Sequence, residues 1–279
     1  MSRNNYIKSP LNYVGGKYKL LNEIIPLFPE NMNTFVDLFG GGLNVGINVK
    51  SDNVIYNDIE PHVVELMQYL KNTETQKLLT EIDELIVSYN LSKENSEGFL
   101  KLREYYNENN NSPIVFYTML CYAFNYQIRF NQNGKYNMPF GKNRSSFNPA
   151  LRQKFIAFVN ALHNKNIVFE NMDFIQYNFE QLNSGDFVYC DPPYFNSVAA
   201  YNENGGWTEN HEVKLLDILT VLDRNGIKFA LSNNLKYENQ ILNKWITNYN
   251  VHYLNGNYSN CNYHKIDRSK DVEVLITNY

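Results

Sequence analysis

The sequence predicts an α/β fold: a mostly parallel sheet, interrupted in its middle by an inserted, mainly helical region. Three observations predict it. Short β-prone apolar runs alternate with helical patterns at both ends of the chain, the arrangement that connects parallel strands. Between about residues 71 and 165 that rhythm breaks into helical segments and a loop rich in Asn, Gly and Ser. Finally, 279 residues that are 43% hydrophobic and 19% charged make an ordinary globular composition with room for a core and a sizeable insertion.

Taken in order, residues 34–38 (TFVDL) form a short apolar run ending in Gly40-Gly41-Gly42, and a helix is expected to follow, giving strand, tight turn, helix. The run Val54-Ile55-Tyr56 stops at Asn57-Asp58, and Pro61 stands where a first helical turn begins, a second unit of the same kind. Leu78, Leu79, Ile82, Leu85, Ile86 and Tyr89 keep the spacing of one face of a helix. Helices are also expected over 114–124 and 149–163, with loop or hairpin over 131–148 between them. Strands return at 167–169, 186–190, 227–231 and 251–254, separated by helices over 208–224 and 236–247, and residues 272–277 read as a last, buried strand. No fixed-period repeat or low-complexity tract is evident.

The formal charge of −4 argues against a protein that coats nucleic acid with its whole surface. Its distribution says more: from Asn109 to Phe169 there is no Asp or Glu, while Arg129, Lys135, Lys142, Arg144, Arg152, Lys154 and Lys165 all fall inside. That region is either a nucleic-acid surface or a solvated helix and loop that happens to lack acids. The 22 Tyr and 17 Phe serve a core or stack on flat ligands such as bases. No apolar run approaches the roughly 20 residues of a membrane span, and the polar start MSRNNYIKSP is unlike a signal peptide. A cytoplasmic protein without a membrane partner is expected, in a bacterium or, if phage-encoded, in its host. Cys121, Cys190 and Cys261 are odd in number and widely spaced, so structural thiols are expected rather than disulfides or a metal site.

Two motifs carry chemistry. Phe39-Gly40-Gly41-Gly42 after a strand lets backbone turn sharply and approach a ligand. Alone it is compatible with a dinucleotide loop, another adenosine-cofactor loop, or a plain turn. Asp58 at the tip of the next strand stands where a carboxylate accepts from two ribose hydroxyls, or else caps the helix at Pro61. Asp191-Pro192-Pro193-Tyr194, directly after a strand, is more specific. Two prolines fix two φ angles and remove two donors, leaving a rigid exit with free carbonyls. A carboxylate from Asp191 and the Pro192 carbonyl suit the two hydrogens of a planar amino group, with the Tyr194 ring offering a face to the attached base.

Together these motifs resemble the DNA adenine methyltransferases that use S-adenosylmethionine, and their order is similar to that of the Dam group. The stretches FVDLFGGGLNVGINV, FLKLREYYN, NMPFGK, GDFVYCDPPYFNSVAAYN and RNGIKFALSN are similar to the Dam enzymes of T-even bacteriophages, and the resemblance runs from about Tyr13 to the C-terminus. It implies a Rossmann-like S-adenosylmethionine-dependent methyltransferase sheet in residues 1–70 and 166–279, with a target-recognition domain in 71–165. It further implies methyl transfer to the exocyclic amino group of a flipped adenine in double-stranded DNA, in GATC or a related short site, with S-adenosyl-L-homocysteine as product and no metal. A cognate restriction endonuclease is a partner such an enzyme can have.

Carried over by position, the resemblance assigns Tyr13 and Lys17 in NYVGGKYKLL to the N-terminal cofactor motif and Asp37 to the methionine ammonium. It assigns Phe39, Gly40 and Gly42 to the cofactor loop, Asp58 to the ribose, Phe174 to the cofactor adenine, and Asp173 to that adenine's edge. Asp191, Pro192, Pro193 and Tyr194 are the catalytic box, with Asp191 also beside the cofactor. Arg129 and Asn131 match one DNA-contacting element, and Pro139, Phe140, Gly141 and Lys142 a second. After NMPFGK the phage enzymes place an arginine that reads guanine, whereas this chain has Asn143, with Arg144 one position later. Either the register shifts and Arg144 reads, or the target differs. The competing readings are an RNA adenine methyltransferase, a catalytically inactive DNA-binding relative, a protein-glutamine methyltransferase, whose type usually carries Asn in place of Asp191, and a nicotinamide-dependent dehydrogenase, which leaves the proline box unexplained.

Overall fold

The computed structural model describes residues 6–109, 112–195, 206–236, 239–254 and 272–279. Its strands are β1 (Thr34–Asp37), β2 (Asn53–Asn57), β3 (Asn166–Glu170), β4 (Phe187–Cys190), β5 (Lys228–Asn234), β6 (Asn250–Leu254) and β7 (Glu273–Thr277). They form one sheet in the order β3-β2-β1-β4-β5-β7-β6. β1 pairs in parallel with β2 and β4, and β4 with β5. β7 runs antiparallel between β5 and β6. The helices are α1 (Leu21–Ile24), α2 (Pro61–Asn72), α3 (Thr75–Ser88), α4 (Ser96–Asn109), α5 (Pro113–Tyr122), α6 (Pro149–His163), α7 (Glu209–Arg224) and α8 (Gln240–Trp245).

The chain divides into two units, one holding residues 17–59 and 170–279, the other 7–16 and 60–169, with β3 at the passage between them. In the first, the alternation of side chains along each strand supplies two apolar faces. Val36, Leu38, Val188, Cys190, Phe229 and Leu231 pack with α7 through Leu215, Leu216, Leu219 and Leu222. Phe35, Phe187 and Tyr189 point the other way and surround Phe28, whose ring lies 4.9 Å from that of Phe187 and 5.5 Å from that of Tyr189. In the second unit α5 is apolar all round and buried from Ile114 to Tyr122, as a helix enclosed by others must be. Much of the aromatic surplus is therefore core: Tyr56, Tyr117, Tyr136, Tyr189, Phe35, Phe99, Phe116 and Phe155 are all fully buried.

Three expectations are corrected. No helix follows the glycine loop, because residues 44–48 form turns and 49–50 a bend. Leu43 at φ 58° and Gly41 at φ 47° are left-handed, which a right-handed helix cannot contain. The helix over 236–247 shortens to α8 plus a 3-10 turn, because Asn239 caps it by accepting from the Leu242 N–H at 2.9 Å. That over 114–124 stops at Tyr122, where Ala123 turns extended and Asn125 takes φ 54°. Helix α4 went unread in the sequence. Its signal was the buried trio Phe99, Leu102 and Tyr106, obscured by polar neighbours and by Gly98.

Candidate active site

The carboxyl edge of the sheet brings four acids together in the first unit. Asp37 ends β1, Asp58 follows β2, Asp191 follows β4, and Glu273 opens β7 opposite Asn234 of β5. Because β7 is antiparallel to β5, its first residue lies at the same edge as the last residues of the parallel strands.

The glycine loop is shaped by close approach. A Cβ on Gly40 would stand 2.2 Å from Tyr56 Cε2, so only glycine passes there. The Tyr56 hydroxyl donates to the Gly41 carbonyl at 2.8 Å, and the Gly41 N–H donates to Asp58 Oδ2 at 2.7 Å. Asp58 is therefore braced against the loop, and it is Glu60 that caps α2, accepting from the His62 N–H. Asn57, unnoticed in the sequence beyond its place before Asp58, ties the edge together. Its amide donates to the carbonyls of Leu38 and Met172, both at 3.0 Å, and its Oδ1 accepts from the Met172 N–H.

Asp37 is 2% exposed and accepts from the Gly46 N–H at 3.0 Å. Burial, with the nearby charges of Asp191 and Asp58 adding to it and the Gly46 hydrogen bond opposing, raises its pKa to about 7. Lys17, 2% exposed, lies 2.5 Å from Asp191 Oδ1 and 2.7 Å from Oδ2, and 3.6 Å from Glu273 Oε1. Burial pushes Asp191 above the usual carboxylate range while the Lys17 ammonium pulls it back. The Tyr194 hydroxyl donates to Glu273 Oε1 at 2.6 Å and lies 3.4 Å from Asp191 Oδ1, and its ring lies under Lys17 Nζ at 5.2 Å.

A cluster of rings adjoins this edge. Phe174, 6% exposed, contacts Phe39 and Trp207, each with ring centroids 5.3 Å away, while Phe39 and Trp207 are only half-buried. Trp207 donates to Glu212 Oε2 at 2.5 Å. Asp173 accepts from the Ile175 N–H and so caps the short turn at Phe174. Lys17, Asp37, Phe39, Gly40, Gly42, Asp58, Asp173, Phe174 and the Asp191-Pro192-Pro193-Tyr194 box thus all belong to the first unit, whereas Tyr13 belongs to the second. Glu273, Asn57 and Trp207 were not singled out in the sequence; Glu273 sits in the apolar run EVLIT, where a buried acid is itself a signal.

The residues expected to touch DNA all lie in the second unit. Segment 131–148 makes isolated bridges, Phe130 with Tyr136 and Ala123 with Phe140. Arg129 Nε donates to Asn137 Oδ1 at 2.8 Å, and Asn131 Oδ1 accepts from the N–H groups of Asn133 and Lys135, so both side chains shape the turn. From α4, Asn107 pairs with both the N–H and the carbonyl of Tyr136, and Arg103 donates to the Met138 carbonyl. Pro139, Lys142, Asn143 and Arg144 are exposed. Asn143 takes φ 59° and donates its N–H to the Lys93 carbonyl, while the Arg144 guanidinium lies 5.8 Å over the Phe124 ring. The acid-free stretch is less basic than its count suggests, since Arg152 pairs with Asp83 and Lys154 is half-buried.

Among the described residues, no group of three or more His, Cys, Asp or Glu is disposed to hold a metal ion, and no helix is long and apolar enough to cross a membrane. Cys121 and Cys190 are free and buried; Cys261 lies outside the described residues.

A seven-stranded sheet with an antiparallel β7 inserted between β5 and β6, and acids along its carboxyl edge, defines an α/β protein of the S-adenosylmethionine-dependent methyltransferase fold. Residues 13–260 match the model of the D12 class N6 adenine-specific DNA methyltransferases, and the chain belongs to that family. It is 50% identical over 283 residues to the type II methyltransferase M.FokI of Planomicrobium okeanokoites, covering 99% of this chain and 43% of that protein. It is 44% identical over 287 residues to the modification methylase StsI of Streptococcus sanguinis, covering 100% and 44%. With the modification methylase LlaI of Lactococcus lactis subsp. lactis it shares 37% over 280 residues, 98% and 43%. The chain thus spans less than half the length of these relatives. These matches do not establish a special closeness to the T-even phage enzymes.

Proposed function

We propose that the chain transfers a methyl group from S-adenosylmethionine to the exocyclic amino group of an adenine flipped out of double-stranded DNA. The observation that carries this reading is Asp191, fixed by two prolines at the carboxyl edge of β4, ion-paired with Lys17 and joined there by Asp37, Asp58 and Glu273.

The site suits a cationic cofactor. Asp37, with a pKa near 7, is an acid short of positive charge, and a ligand carrying an ammonium and a sulfonium supplies it. Asp37 would hold the ammonium, Asp58 the ribose hydroxyls, and the Phe39, Phe174 and Trp207 rings the adenine. Phe174 is the most deeply buried of the three, so Phe39 and Trp207 offer more accessible surface. The bound cofactor supplies an activated methyl on a good leaving group.

The adenine amine is a weak nucleophile because its lone pair is delocalised into the ring. Asp191 and the Pro192 carbonyl accept its two hydrogens, help the nitrogen become tetrahedral and stabilise the positive charge that develops there. Lys17 holds Asp191 ionised until the amine arrives. Tyr194 stacks on the flipped base and returns part of the few kcal/mol that flipping costs.

In the second unit, the target-recognition role falls to the segment around residues 129–144. Asn143, left-handed and engaged through its backbone, serves the turn, and Arg144, exposed and placed over Phe124, reads guanine. GATC or a related short site is the target. A partner restriction endonuclease accords with relatives named as type II and modification methylases.

The reading is tested by incubating the chain with S-adenosylmethionine and unmethylated plasmid DNA and mapping modified adenines by single-molecule sequencing. Modified adenine in one short motif supports it. Methylation of RNA instead, or cofactor binding without any transfer, replaces it with one of the rival readings.

A further inference from the structure

Glu273 is a fully enclosed acid that the proposed chemistry does not yet use. It is 3% exposed, and the hydrogen bonds and ion pair described for its side chain engage Tyr194, Lys17 and Asn234. Oε1 accepts from the Tyr194 hydroxyl at 2.6 Å and lies 3.6 Å from Lys17 Nζ, while Oε2 accepts from the Asn234 amide at 3.3 Å. Asn234 is itself fixed, its Oδ1 accepting from the N–H groups of Lys236 and Val272. The carboxylate is thus held from the β5 side and aimed at the same two groups that Asp191 engages. Lys17 Nζ faces both acids, at 2.5 and 3.6 Å, and the Tyr194 hydroxyl faces both, at 2.6 and 3.4 Å.

That symmetry answers a difficulty in the reaction. As the structure stands, Lys17 Nζ lies within 2.7 Å of both oxygens of Asp191, the atoms the target amine must use. Lys17 spans both oxygens, so the amine gains a fuller share of the Asp191 charge as Lys17 draws back. A buried ammonium that loses its only counter-charge is costly, by several kcal/mol in general. A second carboxylate already beside it removes that cost.

We infer that Glu273 is a positioning residue that receives Lys17 when the target amine occupies Asp191, and that it meanwhile fixes Tyr194 for stacking through the phenol hydrogen bond. The inference rests on the methyltransferase reading above. Glu273 touches neither substrate nor cofactor in this role; it acts through Lys17 and Tyr194. No proton need leave the pair, because Lys17 moves between two carboxylates as an ammonium.

The test compares Glu273→Gln and Glu273→Asp with the unaltered chain, using steady-state methylation of unmethylated plasmid DNA. Glutamine keeps an acceptor for Tyr194 but removes the charge that Lys17 needs. The expected result is a fall in kcat of about ten-fold or more, with the KM for S-adenosylmethionine changed by less than about two-fold. Glu273→Asp, which restores the charge on a shorter stem, recovers part of that loss. A residue that merely holds the fold would lower the folded fraction, which thermal melting of the same preparations reads, and would not distinguish charge from shape. Glu273→Gln at the wild-type kcat, or Gln and Asp equally impaired, overturns the inference while leaving the methyltransferase reading in place. An unaltered chain that binds cofactor yet transfers nothing overturns that reading, and this inference with it.

Discussion

Lys17 Nζ lies 2.5 Å from Asp191 Oδ1 across 174 residues of sequence, with only 2% of the lysine exposed. A buried lysine from near the N-terminus and a half-buried aspartate from the rigid exit of β4 thereby form one ion pair at the sheet edge, and the proposed chemistry turns on how that pair opens.

Replacing Asp191 by Asn or Ala removes the acceptor for the amine hydrogens. We expect methyl transfer to fall by about a hundred-fold to a thousand-fold or more, the scale of losing a group that stabilises developing charge. Folding survives because Lys17 retains Glu273 at 3.6 Å. Thermal melting and methylation rates, measured on the same preparation, check both halves.

Asp37 gives the site a pH signature. Its folded pKa, about 7, lies above the usual aspartate value of 3.8, so the folded chain binds this proton more tightly than the unfolded one. Its contribution to stability is therefore greatest at low pH and declines as pH rises from about 4 to about 7. A cationic ligand at Asp37 favours the ionised form, so cofactor binding releases a proton just below and around pH 7. Calorimetry in buffers of different ionisation enthalpy reads that release, and Asp37→Asn abolishes it.

The glycine loop is tested by crowding it. A methyl group on Gly40 collides with the buried Tyr56 ring, and Gly40→Ala is expected to destabilise the chain by about 1–3 kcal/mol. Asp58→Ala leaves the buried Gly41 N–H without this acceptor, at a similar cost of about 1–3 kcal/mol, and weakens cofactor binding as well. Denaturant unfolding separates the stability term from the affinity term.

For target choice the two arginines diverge. Arg144→Ala is expected to relax discrimination at one guanine by about 1–3 kcal/mol with cofactor affinity unchanged. Arg129→Ala weakens DNA binding by loosening the turn that Asn137 holds. Competition between cognate and single-substituted duplexes distinguishes these outcomes.

Much of the strand framework was legible because short apolar runs and turn chemistry are local: Pro61 opens α2, Thr208 caps α7, and β1, β2 and β4 end where their motifs begin. The glycine loop, too, stood out as a cluster. What sequence reasoning could not supply was convergence. Glu273 lies 82 residues beyond Asp191 in the numbering, and only the antiparallel pairing of β7 with β5 brings it to the same edge. Likewise Asn57 was read only as the end of an apolar run, and its amide bridges two distant carbonyls. The missing helix after residue 43 shows the converse, since left-handed Leu43 and the turns after it stand where a strand and glycine loop led to the expectation of a helix. Arg129 and Asn131 were assigned to a DNA-contacting element by resemblance alone, and in the structure their side chains hold the turn through Asn137 and the N–H groups of Asn133 and Lys135.

The most direct test of the account is nucleoside mass spectrometry of unmethylated DNA after incubation with S-adenosylmethionine and either the unaltered chain or Asp191→Asn, with cofactor binding measured for both. The unaltered chain is expected to yield N6-methyladenine, and the variant at least about a hundred-fold less despite bound cofactor. Equal product from both would contradict it.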